Sequence, residues 1–339
     1  MPVTSAPVIS ASSIDVAPLR YVDRTLDNGL RVVLVPDRRV PSVAINVAYR
    51  VGGKDDPPGR SGFAHLFEHL MFKGTSRTAP ETIDRLTEDV GGYNNAFTSD
   101  DITNYYEVVP SNHLERLLWA EADRLASLTV NAQNFATERD VVIGEYDQRV
   151  LAEPYGMLDE LVNREAYAVH PYRCGVIGRP DELNAASLDD VVAFHATYYR
   201  PDNAVLVVAG DLDVDATLAA VERWFGPVGT PSGAIPRVTV VEPPQTAPRT
   251  YTYRAANVPL PAVEEAYHIP EAVHPDAAAL DVLETLLGYG RSSRLYTTLV
   301  AICVRTRAIS ASVASTSRTR ASSAASTSRA SASAPPRAH

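Results

Sequence analysis

The stretch Gly62-Phe63-Ala64-His65-Leu66-Phe67-Glu68-His69-Leu70-Met71-Phe72-Lys73-Gly74-Thr75 decides how this chain is read. Taken as a helix, it sets His65, Glu68 and His69 at i, i+3 and i+4, on one face. Two imidazoles one turn apart can grip one divalent metal, and the carboxylate between them points at the same place without having to be a ligand. The order is His-x-x-Glu-His, the inverse of the commoner metal-binding order.

A metal with catalytic duties takes three protein ligands and keeps one position open for water. The third ligand belongs on another helix, and Thr137 to Gln148 offers Glu138 and Glu145. These are two helical turns apart and roughly share a face. One can ligate while the other orients a ligand or holds a proton.

Upstream of the motif, the turn signal Asp27-Asn28-Gly29 precedes the β-branched run Leu30 to Val35, and Val43 to Val51 alternates in part; both predict strands. Gly52 to Gly62 is rich in Gly, Pro, Asp and Ser and predicts a loop delivering the chain into the motif helix. Downstream, Glu81 to Val90 predicts a helix with Glu81 and Asp84 early in it, as the helix dipole prefers. Gly91 to Val109 reads as a hairpin turning at Ser99-Asp100-Asp101. Helical spacing returns in Ser111 to Leu128, in Phe135 to Leu151 and, around a loop at His170 to Pro180, from Tyr155 to Tyr199. Asn203 to Val208 predicts a strand and Thr217 to Phe225 a helix. Gly226 to Pro236 makes the best domain boundary, and strands are expected again at Val238 to Val241 and Thr250 to Tyr253.

At 339 residues with 45% apolar content, the chain has material for two domains and a core. Its formal charge of −10 argues against nucleic acid as a partner, because phosphate binding needs clustered Lys and Arg. A cationic or extended peptide fits better. Cys174 and Cys303 stand far apart with no Cys-x-x-Cys spacing, so neither a disulfide framework nor a cysteine metal site is expected. Nothing approaches the roughly 18 apolar residues of a membrane span, and the first twenty residues resemble neither a secretory signal nor a transit peptide. A cytoplasmic location is the expectation. His113, His170, His195, His268 and His274 have no partner spacing and read as ordinary packing or surface residues.

A shift of 218 residues lays Val40, Pro41, Ala44, Ala48 and Tyr49 on Val258, Pro259, Ala262, Ala266 and Tyr267. The same shift puts His65, Glu68 and His69 on Leu283, Leu286 and Leu287, so a second copy would keep the helix and lack the metal site. From Arg305 to His339 the chain is almost wholly Ser, Ala, Thr and Arg. Such a composition cannot offset chain entropy by burial, and disorder is expected. This tail resembles translation in an altered reading frame or of a truncated gene.

Together these blocks resemble the insulinase and pitrilysin family of inverted-motif zinc peptidases, in its mitochondrial-processing-peptidase-like branch, over about Arg24 to Leu295. The resemblance implies that His65 and His69 bind Zn2+, that Glu68 activates water, that Glu145 completes the metal site and that Glu138 is the supporting catalytic glutamate. It further implies that Gly91 to Thr98 is an edge strand pairing with substrate backbone, with Asn95 and Ala96 at the contacting positions. Gly290 to Leu295 is similar to a segment of the family's second domain. The expected fold is α+β, two homologous α/β domains with an antiparallel-rich sheet packed by helices, the second incomplete. The expected bounds are a flexible lead at 1–20, a catalytic domain at 21–230, a partial second domain at 237–304 and a tail at 305–339. The implied activity is that of a zinc endopeptidase on extended peptides, leader segments or unfolded protein, in a homo- or heterodimer whose other subunit closes a chamber. The alternative is a non-catalytic or poorly active truncated subunit that binds a peptidase chain or a peptide.

Overall fold

Period-two patterning builds the sheet. In the computed structural model, which describes residues 18–256, 258–301 and 309–311, Val22–Thr25 (β1), Arg31–Pro36 (β2) and Ser42–Tyr49 (β3) open the chain. Tyr93–Thr98 (β4), Thr103–Pro110 (β5) and Ala204–Gly210 (β6) complete a six-stranded sheet in the order β1-β2-β6-β3-β5-β4. β2 and β6 run parallel; every other neighbouring pair is antiparallel. β6 thus lies between two strands that are neighbours in sequence.

Alternate residues bury one face completely: Val32 and Leu34, Ile45 and Val47, Tyr105 and Val109, Leu206 and Val208. The opposite face carries Val33, Val35, Ala44, Ala48, Val205 and Val207, all half-exposed. Helices cover the buried face. Phe63–Leu70 (α1) lies against β4 and β5, Thr82–Glu88 (α2) against β4, and Leu114–Ser127 (α3) against β3. Ala132–Tyr146 (α4) packs on α1 and continues as a wider, π-type turn over Asp147–Ala152. Gly156–Ala166 (α5), Pro180–Asn184 (α6), Leu188–Tyr198 (α7) and Val214–Phe225 (α8) follow. This is the mixed α/β architecture expected. Glu81 is the exception at residue level: it stands outside α2 as its N-cap, in the left-handed region with φ of 61°.

Beyond α8 the chain adds little regular structure. Val238 to Val241 and Thr250 to Tyr253 are not strands, contrary to expectation: among the described residues neither has a ladder partner, and Val241, Tyr251 and Tyr253 are exposed. A β-branched composition favours a pleated surface but cannot supply the neighbouring strand that its backbone groups require. Side chains hold this part instead. Glu242 accepts the N–H groups of Ala168, Val169 and His170 at 2.6, 3.0 and 2.9 Å, and the His268 ring stacks on Tyr167. Val263–Glu265 (β7) precedes Ala277–Gly288 (α9), on which Leu283, Leu286 and Leu287 are exposed. Of the Ser/Ala/Arg tail, Ile309–Ala311 (β8) pairs in parallel with β7, since a strand edge recruits backbone whatever the side chains. The rest of the tail, and the flexible lead apart from 18–20, lie outside the described residues.

One charge cluster sits wholly inside. Arg124 on α3 is 2.6 Å from Glu121, one turn before it, and 3.4 Å from Glu107 on β5. Its guanidinium lies 4.5 Å from the Tyr105 ring centroid. Two buried carboxylates thus share one cation, and burial, then repulsion from Glu121, pushes Glu107 well above the usual carboxylate range. Replacing Arg124 by Met leaves the pair without its counter-charge and is expected to cost about 3–5 kcal/mol. Urea unfolding checks this as a lowered midpoint at unchanged slope. Substituting all three residues by apolar ones of similar volume is expected to cost far less.

Candidate metal centre

α1 is positioned at its first turn. The Asp56 carboxylate accepts Gly62 N–H at 2.6 Å and Ala64 N–H at 2.9 Å, satisfying donors that have no partner within the helix. Burial pushes the Asp56 carboxyl well above the usual carboxylate range, with these bonds and the positive end of the helix opposing it. Gly62 sits at φ 88° and Gly178 at φ 82°, the two backbones in contact. A Cβ on Gly62 would stand 2.7 Å from the Gly178 Cα, and a Cβ on Gly178 only 2.5 Å from the Gly62 Cα. No side chain fits at either position. Ser61 adds a third tie, its N–H donating to Glu182 and its hydroxyl accepting Arg179 N–H.

So anchored, α1 buries Phe63, Leu66, Phe67 and Leu70, turns His65 and His69 toward Glu138 and Glu145 of α4, and sets Glu68 against Thr98 of β4. Among the described residues, His65, His69 and Glu145 form a group able to hold a metal ion. Their donor atoms converge: Glu145 Oε2 lies 3.6 Å from His65 Nε2 and 3.5 Å from His69 Nε2. Donors of a tetrahedral zinc, each about 2.0–2.1 Å from the ion, stand roughly 3.3–3.4 Å apart. The donor set, two imidazoles and a carboxylate, suits zinc, and the two carboxylate-to-imidazole distances lie close to that separation.

Glu138 stands apart from this group. It faces the other ring nitrogen, its Oε2 3.6 Å from His69 Nδ1 and its Oε1 3.2 Å from Lys73 Nζ. Such a carboxylate fixes the tautomer and ring orientation of a metal-ligating histidine. Arg149, four residues beyond Glu145, reaches that residue's other oxygen at 2.6 Å. Glu68 is held by Thr98, whose hydroxyl donates to Oε2 at 2.7 Å.

The electrostatics separate the two histidines. Burial, then repulsion from His69, depresses His65 to about 4. Burial also acts against a charged His69, but Glu138 and Glu145 outweigh it and raise the ring to about 9. Burial lifts the Glu68 carboxyl, with the Thr98 hydrogen bond opposing. In Glu145 the His69 hydrogen bond dominates and lowers the carboxyl.

β4 forms one edge of the sheet, opposite β1. Asn95 on it is exposed, and its Oδ1 accepts the N–H of Ala96 at 2.8 Å. Sequence reasoning assigned no part to Lys73, Thr98, Arg149, Asp56 or Gly178. Only Lys73, one turn after His69, and Arg149, one turn after Glu145, carried a local signal. The contacts of Thr98, Asp56 and Gly178 arise from segments distant in sequence.

The sequence profile described as Insulinase (Peptidase family M16) matches residues 31–178, and that of the Peptidase M16 inactive domain matches residues 185–324. The zinc protease PqqE of Helicobacter pylori is 36% identical over 278 residues, covering 81% of this chain and 63% of that protein. The probable mitochondrial-processing peptidase subunit beta of Arabidopsis thaliana is 26% identical, covering 78% of this chain and 50% of its own length. The crystal structure of a protease from Helicobacter pylori superposes with a TM-score of 0.74 at 32% identity, covering 84% of this chain and 68% of that one. The chain thus spans between half and two thirds of the length of these curated relatives.

Metal ligation requires a neutral imidazole. His65 already meets that condition at pH 7, whereas His69, raised to about 9, must lose its proton. Zinc affinity is therefore expected to climb about tenfold per pH unit from pH 6 to 8, with about one proton released per ion. Calorimetry in buffers of different ionisation enthalpy measures both quantities, and a flat profile without proton release would contradict this assignment of charge.

Proposed function

The chain belongs to the insulinase family, peptidase family M16, and on that premise we propose that it is a zinc-dependent endopeptidase acting on extended peptides, leader segments or unfolded protein. The observation that carries this reading is the convergence of His65, His69 and Glu145 beside Glu68, which is tied to β4, an edge strand of the sheet.

In this reading His65, His69 and Glu145 hold the metal, which would lower the pKa of a water toward roughly 7 and polarise the scissile carbonyl. Glu68 takes the proton of the attacking water and delivers it to the leaving amine nitrogen as the C–N bond breaks. The upward push of burial on its carboxyl suits a group that must accept and then release a proton. Glu138 keeps the His69 ring in place through Nδ1, and Lys73 balances its charge. A peptide added along β4 as a further strand, with Asn95 and Ala96 in contact, is held mainly by its backbone. Side-chain selectivity is then loose.

We place the peptidase body at 21–230, because all six strands of the sheet fall within it. Residues 237–304 read as a partial second domain related to the first. α1 shifted by 218 residues falls inside α9, with Leu283, Leu286 and Leu287 where the first copy has His65, Glu68 and His69. A partner subunit closing a chamber over the site is part of the proposal. The half-exposed apolar face of the sheet and the exposed leucines of α9 support it.

Glu68→Gln is expected to retain zinc and lose about 10²–10⁴-fold in peptide cleavage. A chelator should abolish cleavage by the wild type, and added zinc should restore it. A quenched-peptide assay beside metal analysis checks both. Zinc binding without any Glu68-dependent cleavage, alone or with a partner subunit, would instead identify a docking subunit.

A further inference from the structure

Among the described residues, the Glu68 carboxylate has one hydrogen-bond donor, the Thr98 hydroxyl at 2.7 Å. Without it the terminal torsion of a glutamate is broad and nearly two-fold, so its two oxygens would exchange places freely. A bond from a hydroxyl to an ionised carboxylate is of the strong, short kind. The donor is itself stiff, since a threonine χ1 is restricted and its backbone lies in the sheet.

Thr98 is the last residue of β4, and strand alternation puts it on the same face as Asn94 and Ala96. Asn94 Nδ2 donates to Thr87 Oγ1 on α2 at 2.7 Å, and Ala96 packs against the core. The edge strand is therefore tied to the helical layer twice, to α2 by Asn94 and to α1 by Thr98. Its opposite side chains, Asn95 among them, point away from that layer.

We propose that Thr98 is a positioning residue for the general base, its hydroxyl fixing Oε2 of Glu68 so that Oε1 is the oxygen that receives the proton. The proposal rests on the endopeptidase reading of the same site. Because Thr98 belongs to the strand on which the peptide lies, substrate backbone and base are held by one rigid element. Their separation does not then depend on the length of a flexible side chain.

The test compares wild type with Thr98→Ser, Thr98→Val and Asn94→Ala as zinc-loaded full chains on an internally quenched peptide. Thr98→Val is expected to lower kcat about 10–100-fold at unchanged KM and zinc content, the loss of one hydrogen bond to a charged group. Thr98→Ser should restore most of it. Asn94→Ala cuts the other tie and should move KM more than kcat. Unchanged kcat in Thr98→Val, or equal losses in Thr98→Ser and Thr98→Val, would overturn the proposal. The same kcat loss in Asn94→Ala would reduce Thr98 to a strand tie and overturn it as well. A second readout needs no turnover: a peptide hydroxamate, whose proton a neighbouring carboxylate accepts, should bind Thr98→Val more weakly by calorimetry and bind Thr98→Ser like wild type. If the wild type shows no Glu68-dependent cleavage, the endopeptidase reading fails, while the hydroxamate series still decides on Thr98, equal affinity in Thr98→Val counting against it.

Discussion

The Asp56 carboxylate on the first N–H groups of α1 is the interaction on which the rest of the site depends. α1 has eight residues, too few to be stable alone in water. Its helicity comes from an apolar face in the core and a cap at its start. The backbone contact of Gly62 with Gly178 fixes where that start lies. With both set, the rotation of the helix about its axis is set too. His65, Glu68 and His69 then have one direction in which to point.

Carboxylates in the helical layer and beneath it are used in two different ways. Behind β5, Glu107 and Glu121 share Arg124, with no solvent access and no donor set for a metal. Such a cluster holds β5 and α3 in one relation and is costly to break rather than strongly stabilising to have. Beside α1, Glu138 and Glu145 face imidazoles instead, and each has one cation of its own, Lys73 or Arg149. Burial opposes a charge on the His69 ring, but hydrogen bonds to both carboxylates outweigh it and raise the ring to about 9 in the metal-free protein. The first cluster is closed to exchange; the second presents a donor set that fits a metal ion.

The metal-site candidates were legible because their geometry is local. An i, i+3, i+4 pattern and a seven-residue spacing survive any choice of tertiary structure, and His65, His69 and Glu145 do stand together. The choice between Glu138 and Glu145 was not legible from spacing, since both share a face of α4. It needed the family resemblance; in the structure Glu145 faces both rings, at His65 Nε2 and His69 Nε2, whereas Glu138 faces His69 Nδ1. Nothing local in the edge strand marks Thr98, because its partner Glu68 lies thirty residues away on another element. Val238 to Val241 fails for the complementary reason: composition predicted the strand, but pairing is a property of two segments.

The place of β6 bears on how the molecule is made. β2 and β3 follow one another in the chain, yet residues 204–210 lie between them, parallel to one and antiparallel to the other. During synthesis the ribosome has released every metal-site candidate well before the central strand emerges. Until it does, the β1–β2 ribbon and the β3–β5–β4 sheet are two pieces with open inner edges. Such late, long-range closure is slow and leaves strand edges exposed to wrong partners. The middle of this sheet is therefore the last part to form, and the interval before it forms is when the nascent chain most needs protection.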